Sequence, residues 1–306
     1  MNLIEKIVDK VYITFAWKGN KKKVIKQTGQ GLLVNQESQS TTNIYHIQNV
    51  NIASIQELAG ASVLDSSDVL KAAGQRFLVE QKTKQENLSA IVNKAELANI
   101  VEPHEIERDW FFKWMDIAQM VSREDIQEIL AKILSKEVKN AEGFSLRTLE
   151  ILKNLSKVEL AIFQKFCDVS WSLPFMEGIP ATVICAPYGN PGNNDLSILG
   201  LSYGNLTILQ DAGLIQGDLN SWRVFKIPEL FQIPFSIGSS LQQLQVTEEC
   251  APSNPQINVI NFTTAGLELR SVLNLGSNPE YIAKFLEWIK NEWKMVPVTK
   301  PSLARL

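Results

Sequence analysis

Only two histidines, His46 and His104, and three cysteines, Cys167, Cys185 and Cys250, are available to the usual metal and nucleophile chemistries. The run HEIERDW begins like a zinc-binding helix, but Arg108 stands where an HExxH pair needs its second histidine. His104 is therefore expected at a helix start or on the surface. No GxSxG elbow is present, and a papain-like dyad would have to join one of the dispersed cysteines to one of the two histidines. GQGLL near Gly29 and YGNPGNN near Gly189 lack the lysine and Ser/Thr of a P-loop and the spacing of a dinucleotide fingerprint, so both read as turns. Glu102, Glu105, Glu107 and Asp109 form an acidic group, which the macrodipole favours near a helix start without any metal. The sequence thus assigns no catalytic, cofactor-binding or metal-ligating residue, and a non-enzymatic protein without a cofactor is expected.

Cations offer the other chemistry. Lys18, Lys21, Lys22, Lys23 and Lys26 are the one dense basic group, and Arg147 is the basic residue of the short segment LRTLEI. Lys21, Lys22, Lys23, Lys26 and Arg147 are the candidate contacts to phosphate or to a partner. Trp110, Phe111, Phe112 and Trp114 are dense enough to stack on bases, yet aromatic residues spaced along a helix start are expected in a core. The lysines follow an apolar stripe of Leu3, Ile4, Ile7, Val8, Val11, Tyr12, Phe15 and Ala16 at helical spacing. Such a helix can lie on an anionic membrane surface as a peripheral contact, or pack on its own protein or a second subunit.

These residues must be held by a chain of 306 residues with a formal charge of −3, which supplies no global field to attract nucleic acid. A hydrophobic share of 45% and a charged share of 21% are those of a folded globular protein. The odd, scattered cysteines suit a reducing cytoplasm. Charges at Glu5, Lys6, Asp9 and Lys10 interrupt what a signal peptide would need as an apolar run. A cytoplasmic protein is expected.

Helix punctuation is clearest in the middle of the chain. Ser67 to Ala98 reads as one long helix with a very polar centre. Ser122 with Asp125 and Ser156 with Glu159 have capping-box spacing, and Ser145 can cap the helix LRTLEILKNL. Stripes of Ile126, Ile129, Leu130, Ile133 and Leu134, and of Leu160, Phe163 and Phe166, follow them. Past Trp171 the prolines multiply, and ATVIC, RVFKI, FQIPF and INVINF read as strands. A short helix over LSYGNLTILQDAG stops at Gly213, TTAGLELRSVL forms another, and Ser277 with Glu280 is expected to cap the last. Residues 27–60 read equally as polar strands or as a linker.

Together DWFFKWMDIAQMVSREDIQEILAKILSKEV, GFSLRTLEILKNLS, LQDAGLI and TTAGLEL resemble an uncharacterised bacterial family, a domain of unknown function akin to the abortive-infection alpha proteins of phage-defence loci. The resemblance spans about Ala73 to Ile289 and is most specific from Asp109 to Ser156. It implies a helical body, a C-terminal winged-helix-like part and a link to antiviral defence, and it carries over no catalytic residue.

The expected architecture is mainly α: an amphipathic helix and polar segment over 1–60, a helical bundle over 61–172, and a winged-helix-like α+β domain over 173–306. The expected function is that of a non-catalytic interaction or sensor protein in phage defence, acting as a homo-oligomer or through a protein partner from the same locus. The alternative is a nucleic-acid-binding protein using the winged-helix-like domain or the lysine group.

Overall fold

The computed structural model describes residues 24–28, 31–35, 67–95, 97, 106–140, 143–173, 179–224, 232–245 and 256–298. The chain divides into two compact units, Met1–Glu142 and Gly143–Leu306. The sequence grouping of 61–172 differs from this division, which sets the helices over 146–154 and 157–168 in the unit that holds the larger sheet.

In the first unit a hairpin of β1 (Val24–Thr28) and β2 (Gly31–Asn35) pairs Lys26 with Leu33. Helices α1 (Ser67–Lys94), α2 (Arg108–Met120) and α3 (Glu124–Lys139) follow. The C-terminal half of α1 buries Ile91 and Val92, while Trp114, Ile117, Leu130 and Ile133 supply the apolar faces of α2 and α3. The last carbonyls of a helix have no partner within it. At the end of α2 they are taken by side chains: Asn87 Nδ2 donates to the Gln119 carbonyl at 3.0 Å, and Gln127 Nε2 to the Val121 carbonyl at 2.9 Å. These two buried amides tie all three helices at one level. The expected Ser122 cap is not used. Arg123 holds the N-cap position of α3 without a side-chain cap, and Asp125 Oδ1 accepts from the Ile126 amide while pairing with Arg123.

The second unit is mixed. Helices α4 (Leu146–Asn154), α5 (Lys157–Asp168), α6 (Tyr203–Asp211), α7 (Thr264–Arg270) and α8 (Pro279–Trp293) accompany a seven-stranded antiparallel sheet. Its strands are β3 (Trp171–Ser172), β4 (Thr182–Ile184), β5 (Ser221–Val224), β6 (Gln232–Ile237), β7 (Ser240–Gln245), β8 (Gln256–Asn261) and β9 (Val296–Pro297). They lie in the order β5-β8-β4-β3-β6-β7-β9. With eight helices in all among the described residues, the fold is α+β rather than the mainly α class expected. The physical reason is that β3 and β9 have two residues each and β7 is SLQQLQ, too short or too glutamine-rich to register as strands in isolation.

Helix α8 buries Tyr281, Phe285 and Ile289, with Phe285 against Phe235 of β6 at 5.7 Å between ring centroids. β3 is too short to reach Ile184, so the carbonyl of that residue is satisfied by the Tyr281 hydroxyl instead, at 2.6 Å. The cap of α8 is Asn278, which accepts from the Tyr281 amide at 2.9 Å, one residue later than the Ser277 expected. The cap of α5 is the one read from the sequence. Ser156 Oγ accepts from the Glu159 amide and Glu159 Oε2 from the Ser156 amide, and those bonds hold the Glu159 carboxyl below its ordinary range.

The cap and the core behind it differ in weight. Ser156→Ala is expected to cost about 1 kcal/mol. Phe163→Ala, which removes a ring with no solvent exposure that meets Phe262 edge-on, is expected to cost about 3–5 kcal/mol. Urea unfolding of the two variants measures both, and equal losses would contradict the packing described.

Candidate functional site

The densest polar contacts of the second unit gather where α5 ends. Asp168 Oδ1 accepts from Gln164 Nε2 and from the Gly276 amide, both at 2.7 Å. Ser170, with no solvent exposure, donates its hydroxyl proton to the Cys167 carbonyl at 2.6 Å and accepts from Arg270 Nε at 2.7 Å. The Ser170 carbonyl accepts from the Gly238 amide, and the Gly276 carbonyl from the Ser239 amide. Gly238 has φ +54°, and a Cβ there would collide with the carbonyl oxygens of Gly276 and Asp168. Arg270 meets no carboxylate within ion-pair distance among the described residues, and burial lowers its pKa. The hydroxyl of Ser170 is already a donor to a carbonyl, so this arrangement positions chains rather than activating a nucleophile.

A second cluster closes the start of α4. Ser145 Oγ caps the Thr148 amide, and Glu268 Oε2 of α7 accepts from the Ser145 amide at 2.8 Å, Ser145 Oγ at 3.2 Å and Thr148 Oγ1 at 2.5 Å. An unoccupied helix N-terminus attracts anions. Here the protein's own carboxylate already fills it. Arg147, exposed on the same helix, sits beside this carboxylate-capped start.

Arg223 of β5 is another guanidinium bonded to neutral oxygens: Nη1 donates to the Pro180 carbonyl at 2.9 Å and Nη2 to Asn261 Oδ1 at 2.7 Å. Burial lowers its pKa. Cys167 and Cys185 are free and buried, and burial raises both thiols, Cys185 to about 12. Such thiols are poor nucleophiles.

Of the candidate contacts, Lys21, Lys22 and Lys23 lie outside the described residues, as do His46, His104, Cys250, Glu102 and Glu105, while Lys26 lies on β1. The structure brings neither Glu107 nor Asp109 into a metal cluster; among the described residues no group of three His, Cys, Asp or Glu could hold an ion. Trp110, Phe111 and Trp114 are buried, Trp114 Nε1 donating to the Leu130 carbonyl at 3.2 Å, so these three are core as expected, whereas Phe112 is half-buried with the Arg108 guanidinium 5.3 Å from its ring centroid. Sequence reasoning missed Glu268, Ser170 and Arg270, whose partners lie 100 or more positions away and leave no local pattern. No helix among the described residues is long and apolar enough to cross a membrane.

Residues 71–286 match a family model described as a protein of unknown function, DUF2806. No curated protein and no solved structure matches significantly. The expected kinship to abortive-infection proteins has no support in these matches.

The buried thiols make a chemical prediction with a definite sign. A thiol raised by folding stays neutral in the native state while its unfolded counterpart ionises near 9, so the contribution of Cys185 is intact below that pH and is lost as pH climbs toward about 12. At pH 8, native protein should leave Cys167 and Cys185 unlabelled by Ellman's reagent, and both should react in guanidinium. Labelled-peptide mass spectrometry distinguishes them from Cys250; fast native labelling of either would contradict their placement.

Proposed function

We propose, for a chain that belongs to the DUF2806 family of proteins of unknown function, that it is a cytoplasmic interaction or sensor protein that works by self-association or by binding a protein partner, within a phage-defence system. The observation that carries this reading is unpartnered apolar surface on regular elements. Phe77, Leu78 and Val79 are consecutive and exposed at the centre of α1, where every residue from Gln75 to Glu80 is exposed. Successive helical residues point about 100° apart, so these three exposed apolar side chains are spread round the helix, the pattern of a helix enclosed by other chains. The polar clusters of the second unit support the same reading, because each is occupied in joining elements of the fold. The defence setting rests on the sequence resemblance alone. The first sixteen residues, with their apolar stripe, belong to the same proposal as a docking or membrane-surface helix.

A winged-helix-like character for the C-terminal part is also part of this proposal. It draws on α6 stopping at Gly213, where φ is +73°, on the bridge of Ile215 to Phe262, and on α7 directly after. That order motivates the rival reading, in which the module or the group Lys21, Lys22, Lys23 and Lys26 contacts phosphates. The closed N-terminus of α4 weighs against Arg147 as a reader of nucleic acid.

Fluorescence anisotropy separates the two readings. Binding to duplex or single-stranded DNA is expected to be weaker than about micromolar at physiological salt and to fall steeply as salt rises, since each neutralised phosphate releases a counterion. Changing Lys21, Lys22 and Lys23 together to Glu should remove what binding there is. Tight binding that survives high salt would promote the nucleic-acid reading over the one proposed.

A further inference from the structure

Among the described residues the seven-stranded sheet ends at β5, whose one neighbour is β8. Which backbone groups of β5 face outward follows from the ladder beyond it. The Cys185 amide donates to the Asn258 carbonyl, so Asn258 turns its backbone toward β4. In an antiparallel ladder alternate residues point their backbone groups to opposite neighbours. Ile257 and Val259 therefore face β5, where they pair with Arg223 and Ser221. The amide and carbonyl groups of Trp222 and Val224 point away from the sheet. These two residues also expose their side chains, Trp222 by 64% and Val224 by 52%. Natural sheet edges are blunted by lysine, proline or a bulge. Here the outward positions carry a tryptophan and a valine.

We infer that β5 is a pairing edge whose occupant is the β5 strand of a second copy, joined antiparallel across a two-fold axis at Trp222. This rests on the self-association reading above and assigns it a surface. An antiparallel strand is complementary to itself when outward-facing residues meet outward-facing residues, and a centre at Trp222 satisfies that condition. The same register sets Ser221 of one copy across from Arg223 of the other, on one face of the joined sheet. Ser221 Oγ is bonded to Asp218 Oδ2 at 3.0 Å, so a carboxylate accompanies it. Among the described residues Arg223 pairs with no carboxylate, its guanidinium being held by the Pro180 carbonyl and Asn261. Each copy thus sets a carboxylate near the position that faces Arg223 of the other, a residue whose guanidinium is bonded to neutral oxygens, twice over by symmetry. A lysine edge or a parallel peptide would lack that match.

Proline tolerates an edge position whose amide faces solvent, so Val224→Pro removes an outward donor without breaking the bonds to β8. Trp222→Lys places a charge at the centre of the pairing and alters no buried group. Multi-angle light scattering of the full chain at tens of micromolar should give twice the 34.3 kDa chain mass for wild type and the single-chain mass for each variant, with unchanged far-ultraviolet circular dichroism. A wild-type oligomer indifferent to both changes would overturn the β5 assignment while leaving self-association standing. A wild-type protein that stays monomeric would overturn both.

Discussion

The second unit depends on the three residues that end α5. Asp168, Val169 and Ser170 turn the chain from a buried helix into the sheet, and in doing so they bind the turn between β6 and β7, the end of α7 and the approach to α8. Four separate stretches meet through carbonyl, amide, carboxylate and hydroxyl groups, and those that are buried would otherwise lack partners at a cost of about 1–3 kcal/mol each. The constraint is tight enough to specify residue types. A side chain at Gly238 would strike two carbonyls, and a residue without a side-chain acceptor at 168 would strand the Gly276 amide. Around this point the aromatic core closes, Phe166 meeting Phe262 at 4.9 Å.

A similar logic governs the first unit on a smaller scale. Asn87 and Gln127 are polar residues in an apolar interface, and both are there because α2 ends inside it. They fix the level at which the C-terminal half of α1 meets its neighbours and leave the centre of that helix in water. In both units the polar clusters described above are occupied within the fold. Among the described residues, the exposed apolar side chains of α1 and the outer edge of β5 are surfaces that another molecule could complete.

Local signals were legible in the sequence where the physics is local. The box of Ser156 and Glu159, the cap at Ser145, the stop at Gly213, the strand in ATVIC and the helices of LSYGNLTILQDAG and TTAGLEL all depend on residues within a few positions of each other. The expected caps at Ser122 and Ser277 failed because several polar residues compete there and tertiary packing chooses among them; Arg123 and Asn278 took those positions. Strands β3 and β9 were invisible, since two residues carry no periodicity. The role of Glu268 was hidden for a different reason: its partners, Ser145 and Thr148, lie more than a hundred residues earlier. The same separation conceals Arg270, whose charge gives no clue that a buried serine awaits it.

On the reading proposed above, this protein acts through surfaces completed by another copy rather than through a reactive site. The most direct measurement of that claim is amide hydrogen exchange at β5 as a function of protein concentration. In an isolated chain the amides of Trp222 and Val224 face solvent and exchange quickly, whereas those of Ser221 and Arg223 are protected by β8. The account predicts that exchange at Trp222 and Val224 slows as concentration rises, while Ser221 and Arg223 stay unchanged. Fast exchange at Trp222 and Val224 at every concentration would contradict it.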